Sequence, residues 1–200
     1  MNYAQKFFGH LKTVTKHKYW VWYYMSKCGF KYSWRGLWHD MSKFSPIEFF
    51  ESVKYYSGTR SPIDACKEDK GISMAWMHHK GRNPHHYEHW VDNFDKGGEP
   101  KEMPVKYKVE MICDYLGAAR AYMGKKFSYK AEYEWWQKKL SLPRAQHQND
   151  KDFVSIVLFW MKHFEEMSES TDYATTLLGA TIEVVLEKFD EMKLEILPNL

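Results

Sequence analysis

The sequence predicts an all-α protein, a bundle of helices without a β-sheet. Three observations support this fold class. Apolar and aromatic residues recur every three or four positions along most of the chain, which is the spacing of an amphipathic helix. Proline follows serine in Ser45-Pro46 and in Ser61-Pro62, a pair that is typical of a helix start. No stretch keeps the two-residue alternation of a half-buried strand, so we expect no sheet.

In the first half of the chain, the predicted helices follow one another with short breaks. A long first helix covers Tyr3–Lys27, a segment without proline. Ser33 can cap a second helix through residues 35–40, and the two serine-proline pairs start the third and the fourth helix. The Asn-Pro pair at residues 83–84 breaks the chain again, and residues 96–100 form a loop with two glycines.

In the second half, Met103-Pro104 starts a helix whose apolar residues follow helical spacing. This helix carries Glu110 and Asp114 one turn apart, so both carboxylates lie on the same face. Further helical patterns cover residues 129–140, 152–167 and 172–193. The last of these has an apolar stripe that we interpret as core, with a homodimer interface as the alternative.

The charge distribution bears on the kind of partner. The net charge is only +3, but residues 1–60 contain ten Lys and Arg against three Asp and Glu, whereas residues 151–200 contain four against ten. A basic first part favours a small anionic substrate such as a phosphate ester. Nucleic acid is an alternative on charge alone, and we do not favour it.

Length and cysteine content predict one cytoplasmic domain. Two hundred residues, 44% of them hydrophobic, suffice for one well-packed domain. Cys28, Cys66 and Cys113 are odd in number and widely spaced, so neither a disulfide framework nor a cysteine zinc site is indicated, which fits a reducing cytoplasm. The longest uncharged stretches are too short for a bilayer span, so we expect no membrane partner.

Histidines and carboxylates cluster in a way that indicates a metal site. His39 and Asp40 are adjacent, and His17 precedes them. Neutral imidazole and carboxylate suit divalent transition metals such as manganese, iron, cobalt or zinc. Asp64 and Asp92 are alternative carboxylates. Five of the ten histidines fall in one short segment, and which of them face a metal stays open: His78, His79, His85, His86 and His89.

The order of these residues resembles the HD-domain superfamily of metal-dependent phosphohydrolases. The resemblance covers residues 17–114, and the block around His39-Asp40 with the later Asn-Pro-His-His is similar to an uncharacterised bacterial and phage branch of that superfamily. It implies an HD-domain-like helical bundle that binds one or two ions. The implied ligands of the first metal are His17, His39, Asp40 and Asp114. In members with two metals, further histidines bind the second ion and the aspartate of the His-Asp pair bridges both, which here implies His79, His85, His86 and Asp40.

The resemblance also implies a division of the chain. A single helical domain would cover residues 1–200, with the metal-site core at about residues 10–125 and accessory C-terminal helices at about residues 128–195.

Charged side chains near the implied ligands are assigned roles by their position. Lys43 lies three residues after the His-Asp pair, close to the same helix face, and resembles the lysine found there in many superfamily members. Lys43 and Arg82 would neutralise charge on a phosphate, with Lys80 and Arg35 as further donors. Glu48 would donate or accept a proton, with a helix-capping role as the alternative.

The favoured hypothesis is hydrolysis of a small phosphorylated substrate by a metal-activated water. Aromatic residues near the ligands could stack a base, which would make that substrate a nucleotide: Trp38, Trp76, Tyr87 and Trp90. The same ligands suit an HD-type di-iron oxygenase, the first alternative. The second alternative is a non-catalytic helical module that binds a metal or a partner.

Overall fold

The computed structural model describes residues 1–199 and confirms the all-α fold class. A short antiparallel sheet joins β1 (Val91–Asp92) to β2 (Glu99–Pro100) between the fifth and sixth helices. The helices of the described residues are α1 (Tyr3–Lys27), α2 (Phe30–Trp38), α3 (Pro46–Tyr55), α4 (Pro62–Lys70), α5 (Met74–Arg82), α6 (Val105–Met123), α7 (Tyr129–Leu140), α8 (Gln148–Ser168), α9 (Thr171–Glu187) and α10 (Phe189–Ile196).

Close packing of α1 against α6 brings together two distant parts of the chain. Gly117 on α6 permits this approach, because a Cβ atom there would lie 2.5 Å from Cγ2 of Val21 on α1. Gly36 permits a similar approach of α2, where a Cβ atom would lie 3.1 Å from Cα of Trp22 on α1. Interiors at this density leave no room for a larger side chain, so both glycines set the distances between these helices.

The C-terminal helices form the other part of the bundle. α8 packs against α7, α9 and α10, and its Phe153, Ile156 and Leu158 are fully buried. The hydrophobic core continues without interruption from α1 through α6 into this region. Among residues 1–199, no helix has the length and the apolar content that crossing a bilayer requires.

Two predictions about α2 were wrong. The helix begins at Phe30, because Gly29 with φ of +104° lets the chain turn directly out of α1, and Ser33 lies inside the helix. It also ends at Trp38, so the His-Asp pair follows the helix instead of belonging to it. Asp40 then adopts a left-handed conformation before a 3-10 turn over Met41–Phe44.

Other boundaries differ further along the chain. The expectation of no sheet was wrong at β1 and β2, where each strand has two residues, too few to show an alternating pattern. α8 begins at Gln148, four residues before the predicted start, capped by the side chain of His147. The helix predicted over residues 172–193 is two helices, α9 and α10, which meet at Lys188.

Candidate metal centre

The break between α2 and α3 turns the His-Asp pair into the protein. His39 has extended backbone angles and Asp40 has a φ of +56°, a conformation that costs a non-glycine residue about 1 kcal/mol and that aspartate tolerates better than most. The reversal leaves His39 2% and Asp40 1% exposed. Because two adjacent polar side chains are fully buried here, the surrounding residues must supply partners for both.

A first cluster consists of His17 from α1, His39 and Asp40 from the turn, and Asp114 from α6, all buried. Nε2 of His17 lies 3.0 Å from Oδ1 of Asp114 and 3.4 Å from Oδ2 of Asp40. Nε2 of His39 lies 3.2 Å from each of the same two oxygens. Two imidazole nitrogens and two carboxylate oxygens thus converge, which is a donor set that binds divalent transition metals.

A second cluster shares Asp40 and adds His79, His85 and His86. Oδ1 of Asp40 lies 3.3 Å from Nε2 of His79 and 3.4 Å from Nε2 of His85. Within the described residues, Nε2 of His79, His85 and His86 has no hydrogen-bond partner, although all three atoms are buried. Buried polar atoms without a partner are rare and costly, so three of them grouped beside one carboxylate fit a cation.

The two clusters are joined through the single carboxylate of Asp40. Its Oδ2 faces the first cluster and its Oδ1 faces the second. The buried His, Asp and Glu groups around it could therefore hold a metal ion.

Glu110 and Glu48 contact the Nδ1 atoms of the histidine rings, on the side away from the clusters. Oε1 of Glu110 lies 3.0 Å from Nδ1 of His39 and 3.3 Å from Nδ1 of His85. Oε2 of Glu48 lies 2.7 Å from Nδ1 of His79. A carboxylate on one ring nitrogen fixes the ring and directs the lone pair of the other nitrogen into the cluster, as in metal sites generally.

Mutual charge pairing governs the protonation of these groups. Burial alone would raise the pKa of Asp40, but His39 and Lys43 outweigh burial and hold that pKa well below its usual range. Burial alone would lower the pKa of His39, but Asp40 and Asp114 outweigh it and raise that pKa well above its usual range. The carboxylates therefore remain ionised and need positive charge beside them, which protons or a bound cation can supply.

His86 differs from His39 because the charges of Asp114 and Asp40 do not outweigh its burial. Burial, together with the neighbouring His85 and His79, lowers the pKa of His86 well below its usual range. Burial and His39 also lower the pKa of His85. Both rings are thus neutral near pH 7, the form in which imidazole binds a metal.

A cavity of about 160 Å³ opens beside the first cluster. Lys43 lines it, and its Nζ lies 2.6 Å from Oδ2 of Asp40. Burial opposes the charge on Lys43, but Asp40 and Asp114 outweigh burial and raise its pKa. His10 lines the same cavity, where burial and the charge of Lys43 lower its pKa to about 4. The cavity therefore offers an anionic group one firmly charged ammonium next to the cluster.

The other predicted cationic residues lie elsewhere. Arg35 pairs with Glu110, with Nε 2.5 Å from Oε2, and its guanidinium packs over the Tyr107 ring, so it supports the cluster from outside. Lys80 and Arg82 belong to the last turn of α5. Arg82 is exposed, and neither residue lines the cavity.

The structure also shows which of the alternative ligand residues lie outside the two clusters. His78 pairs with Glu48 at 2.5 Å, outside both clusters, and Nδ1–H of exposed His89 donates to the carbonyl of Lys80. Asp64 lies in the first turn of α4, and Asp92 is exposed on β1. Of the residues left open by the sequence, His79, His85 and His86 are those that converge on Asp40.

Sequence reasoning did not assign a role to Glu110, although a signal was available. Glu110 precedes Asp114 by one helical turn, so it had to lie on the same face of α6 as an implied ligand. Asn83 was treated only as part of a chain break. Its side-chain amide donates to Oγ of Ser42 at 2.7 Å and to the carbonyl of His79 at 2.8 Å, which ties the end of α5 to the turn after Asp40.

Fold and site together define an all-helical protein with a buried, carboxylate-linked set of histidines that could hold metal. The chain belongs to DUF5662, a protein family of unknown function whose sequence pattern matches residues 6–163. That span contains every residue of both clusters. No curated protein and no solved structure matched the chain.

Proposed function

We propose that this protein is a metal-dependent phosphohydrolase that acts on a small phosphorylated substrate and binds two divalent ions, manganese, iron, cobalt or zinc. The single observation that carries the proposal is the position of the Asp40 carboxylate, with one oxygen toward each cluster. Two cation sites joined by a carboxylate are a common arrangement in enzymes that hydrolyse phosphate esters. The resemblance of the ligand order to the HD-domain superfamily supports the same assignment.

The metal ions would supply Lewis acidity and a bound water with a pKa lowered toward neutrality. The chain itself supplies charge and orientation. Lys43 donates from the cavity wall, where its ammonium can hold a phosphoryl oxygen and stabilise the negative charge that develops there. Glu110 and Glu48 keep the rings of His39 and His79 in the orientation that the clusters need.

Tyr122 lines the same cavity and provides a proton-bearing group. It comes from the last turn of α6, and burial raises its pKa despite the charge of Lys43. Its phenol therefore stays protonated at neutral pH and can donate a hydrogen bond to a leaving oxygen. Glu48 also lines this cavity. Burial alone would raise its pKa, but His79 and His78 outweigh burial and lower that pKa, so Glu48 is ionised at neutral pH and is better suited to accept a proton than to donate one.

The test is turnover by protein loaded separately with each of the four metals. Release of inorganic phosphate is measured with nucleotides, sugar phosphates and p-nitrophenyl phosphate as substrates. We expect activity that Lys43→Ala lowers by roughly a hundredfold or more, as the loss of one donor to a developing charge usually does. Lys31→Ala, a change on the surface of α2, is the matched control and should leave activity intact. Protein that holds two ions and hydrolyses none of these esters would contradict the proposal.

A second candidate, a di-iron oxygenase, is favoured by the same carboxylate-linked pair of clusters, because two irons that share a carboxylate can activate dioxygen. Iron-loaded protein with a visible absorption band and substrate-dependent oxygen uptake would support it. Activity with manganese or cobalt under anaerobic conditions would support hydrolysis instead.

A further inference from the structure

A second and larger cavity, about 630 Å³ in volume, adjoins the one beside the clusters. The two cavities share part of their lining, and the shared residues are Ser61, Ile63, Ala118 and Tyr122. The smaller cavity has room for little more than a phosphoryl group. The larger one lies within the range of pockets that enclose a whole small molecule, so the remainder of a substrate fits there.

Aromatic rings form much of the wall of the large cavity. Trp76 contributes from α5, Tyr115 from α6 and Trp135 from α7, with the last two rings 5.4 Å apart in an edge-to-face contact. The Trp76 ring also contacts His86, with centroids 4.9 Å apart, so it connects the cavity to the second cluster. Flat, polarisable surfaces of this kind bind planar rings by stacking.

Glu132 is the buried carboxyl group at this wall, which Ser61, Asp64 and Lys67 also line. Its side chain lines the cavity and is only 5% exposed, and no hydrogen bond or ion pair to its carboxyl group is present among residues 1–199. Burial and the charge of Asp114 raise its pKa to about 8. At neutral pH the group is therefore mostly an uncharged carboxylic acid, which carries one O–H donor and one acceptor side by side.

An uncharged acid with adjacent donor and acceptor matches a specific chemical edge. An amide-like edge, in which N–H stands next to C=O on a ring, pairs with it through two hydrogen bonds. Trp135 lies three residues after Glu132 on α7, so a ring stacked on Trp135 can present its edge to the carboxyl group. Glu132 lines the cavity and has no partner among the described residues, so its donor and its acceptor can both pair with a ligand there.

We propose that the large cavity binds a planar heterocycle of the substrate, which stacks against Trp76 and Trp135. The amide-like edge of this heterocycle forms hydrogen bonds with the carboxyl group of Glu132. The phosphoryl group of the same molecule then lies in the small cavity beside Lys43. This inference rests on the proposed function for the phosphoryl group, whereas the heterocycle site is defined by its own residues.

The test compares three named probes by calorimetric titration of manganese-loaded protein. Uridine 5′-monophosphate and guanosine 5′-monophosphate both carry the amide-like edge, and ribose 5-phosphate has the same phosphate and sugar without a ring. We expect at least one nucleotide to bind on the order of tenfold more tightly than ribose 5-phosphate. Trp135→Ala should abolish the difference and leave the affinity for ribose 5-phosphate unchanged, whereas Trp34→Ala, on α2, should change neither.

Variants at Glu132 test the proposed hydrogen bonds to the amide-like edge of the heterocycle. Glu132→Gln keeps a donor and an acceptor and should retain binding within about threefold, whereas Glu132→Leu should lose the preference for the nucleotides. Equal affinity for nucleotides and ribose 5-phosphate, or no binding of any probe, would overturn the heterocycle site. Preferential nucleotide binding without phosphate release from any ester would leave this site standing and count against the hydrolase proposal.

Discussion

The candidate metal centre and the C-terminal part of the bundle both bury charged residues, and the partners of Asp150 and Glu165 differ from those of the clustered histidines. In the C-terminal part, Asp150 accepts from the backbone N–H of Met103 and pairs with Lys108 at 3.2 Å, and Glu165 accepts from the backbone N–H of Lys130. In the metal centre, Nε2 of His79 and of His85 points at a carboxylate and has no hydrogen-bond partner within residues 1–199. The chain itself supplies the partners of Asp150 and Glu165, whereas it leaves these two ring nitrogens open.

The difference teaches which buried charges are structural and which are poised for a ligand. A buried ionised group costs several kcal/mol unless a partner compensates for it. Apolar packing around Phe153, Ile156 and Leu158 provides stability that is independent of any ion. The stability of the metal centre should depend on cations and pH, and each of the following predictions tests that contrast.

The largest effect is expected for Asp40→Ala. Because this carboxylate belongs to both clusters, its removal should weaken binding of both ions by roughly a thousandfold or more, which corresponds to about 4 kcal/mol. Calorimetric titration with manganese or zinc measures it. The control is Asp64→Ala, which removes an exposed carboxylate in the first turn of α4. Wild-type affinity in the Asp40 variant would contradict the shared role.

Added metal should stabilise one region more than the other. A cation present at about a thousand times its dissociation constant should raise the free energy of unfolding by about 4 kcal/mol. Hydrogen exchange should slow most at the turn after α2 and at α5, and least at α8. Equal slowing in all helices, or slowing that persists in Asp40→Ala, would break the contrast between the two regions.

Leu158→Ala tests the same contrast by a change in the apolar core of the C-terminal helices. This side chain is 1% exposed in α8, so its truncation should lower the free energy of unfolding by about 2–5 kcal/mol. Metal affinity should stay within about threefold of the wild-type value, because α8 contributes to neither cluster. Chemical denaturation and metal titration of the same preparation provide both values. A parallel loss of metal affinity would show that the two regions are coupled.

Glu110→Gln should have a smaller but specific effect. Loss of the carboxylate that orients His39 and His85 should weaken metal binding by roughly 10- to 100-fold. Glu165→Gln is the matched control, since Glu165 is similarly buried but contacts Lys130 and Thr171. It should reduce stability and leave metal affinity unchanged. Unchanged metal affinity in Glu110→Gln, with weakened affinity in Glu165→Gln, would contradict the orienting role of Glu110.

A further prediction is the pH dependence of stability that Glu132 imposes. Its pKa rises from 4.5 to about 8 on folding, so between these pH values the folded state holds a proton that the unfolded state has released. Stability should therefore fall as pH rises across this window, by roughly 1 kcal/mol per pH unit. Glu132→Gln removes this dependence, so its advantage over the wild type should grow from pH 5 to pH 8. A constant difference in urea denaturation would contradict the raised pKa.

Much of the fold follows from local patterns in the sequence, whereas some boundaries do not. Tyr3–Lys27 was predicted correctly because it has helical spacing and no proline. The division of α9 from α10 at Lys188 has no glycine or proline to announce it, and it depends on how the two helices pack. Helix ends in general depend on such contacts more than on propensity.

In the candidate site, too, features that depend on tertiary contacts could not be predicted from local sequence patterns. Adjacent His39 and Asp40 are visible in the sequence, and the resemblance to a known ligand order predicted the convergence with Asp114 that the structure shows. Glu132 has no comparable signal. Its cavity forms only where α4 to α7 meet, so its burial and its pKa depend on contacts with residues far away in the chain.

The most direct test of the account is anomalous scattering from crystals of manganese- or zinc-loaded protein. Two ions should be found, one on each side of the Asp40 carboxylate, the first bound by His17, His39 and Asp114 and the second by His79, His85 and His86. Ions located only at other residues, or no ion at Asp40 in protein loaded at saturating metal, would contradict the central claim.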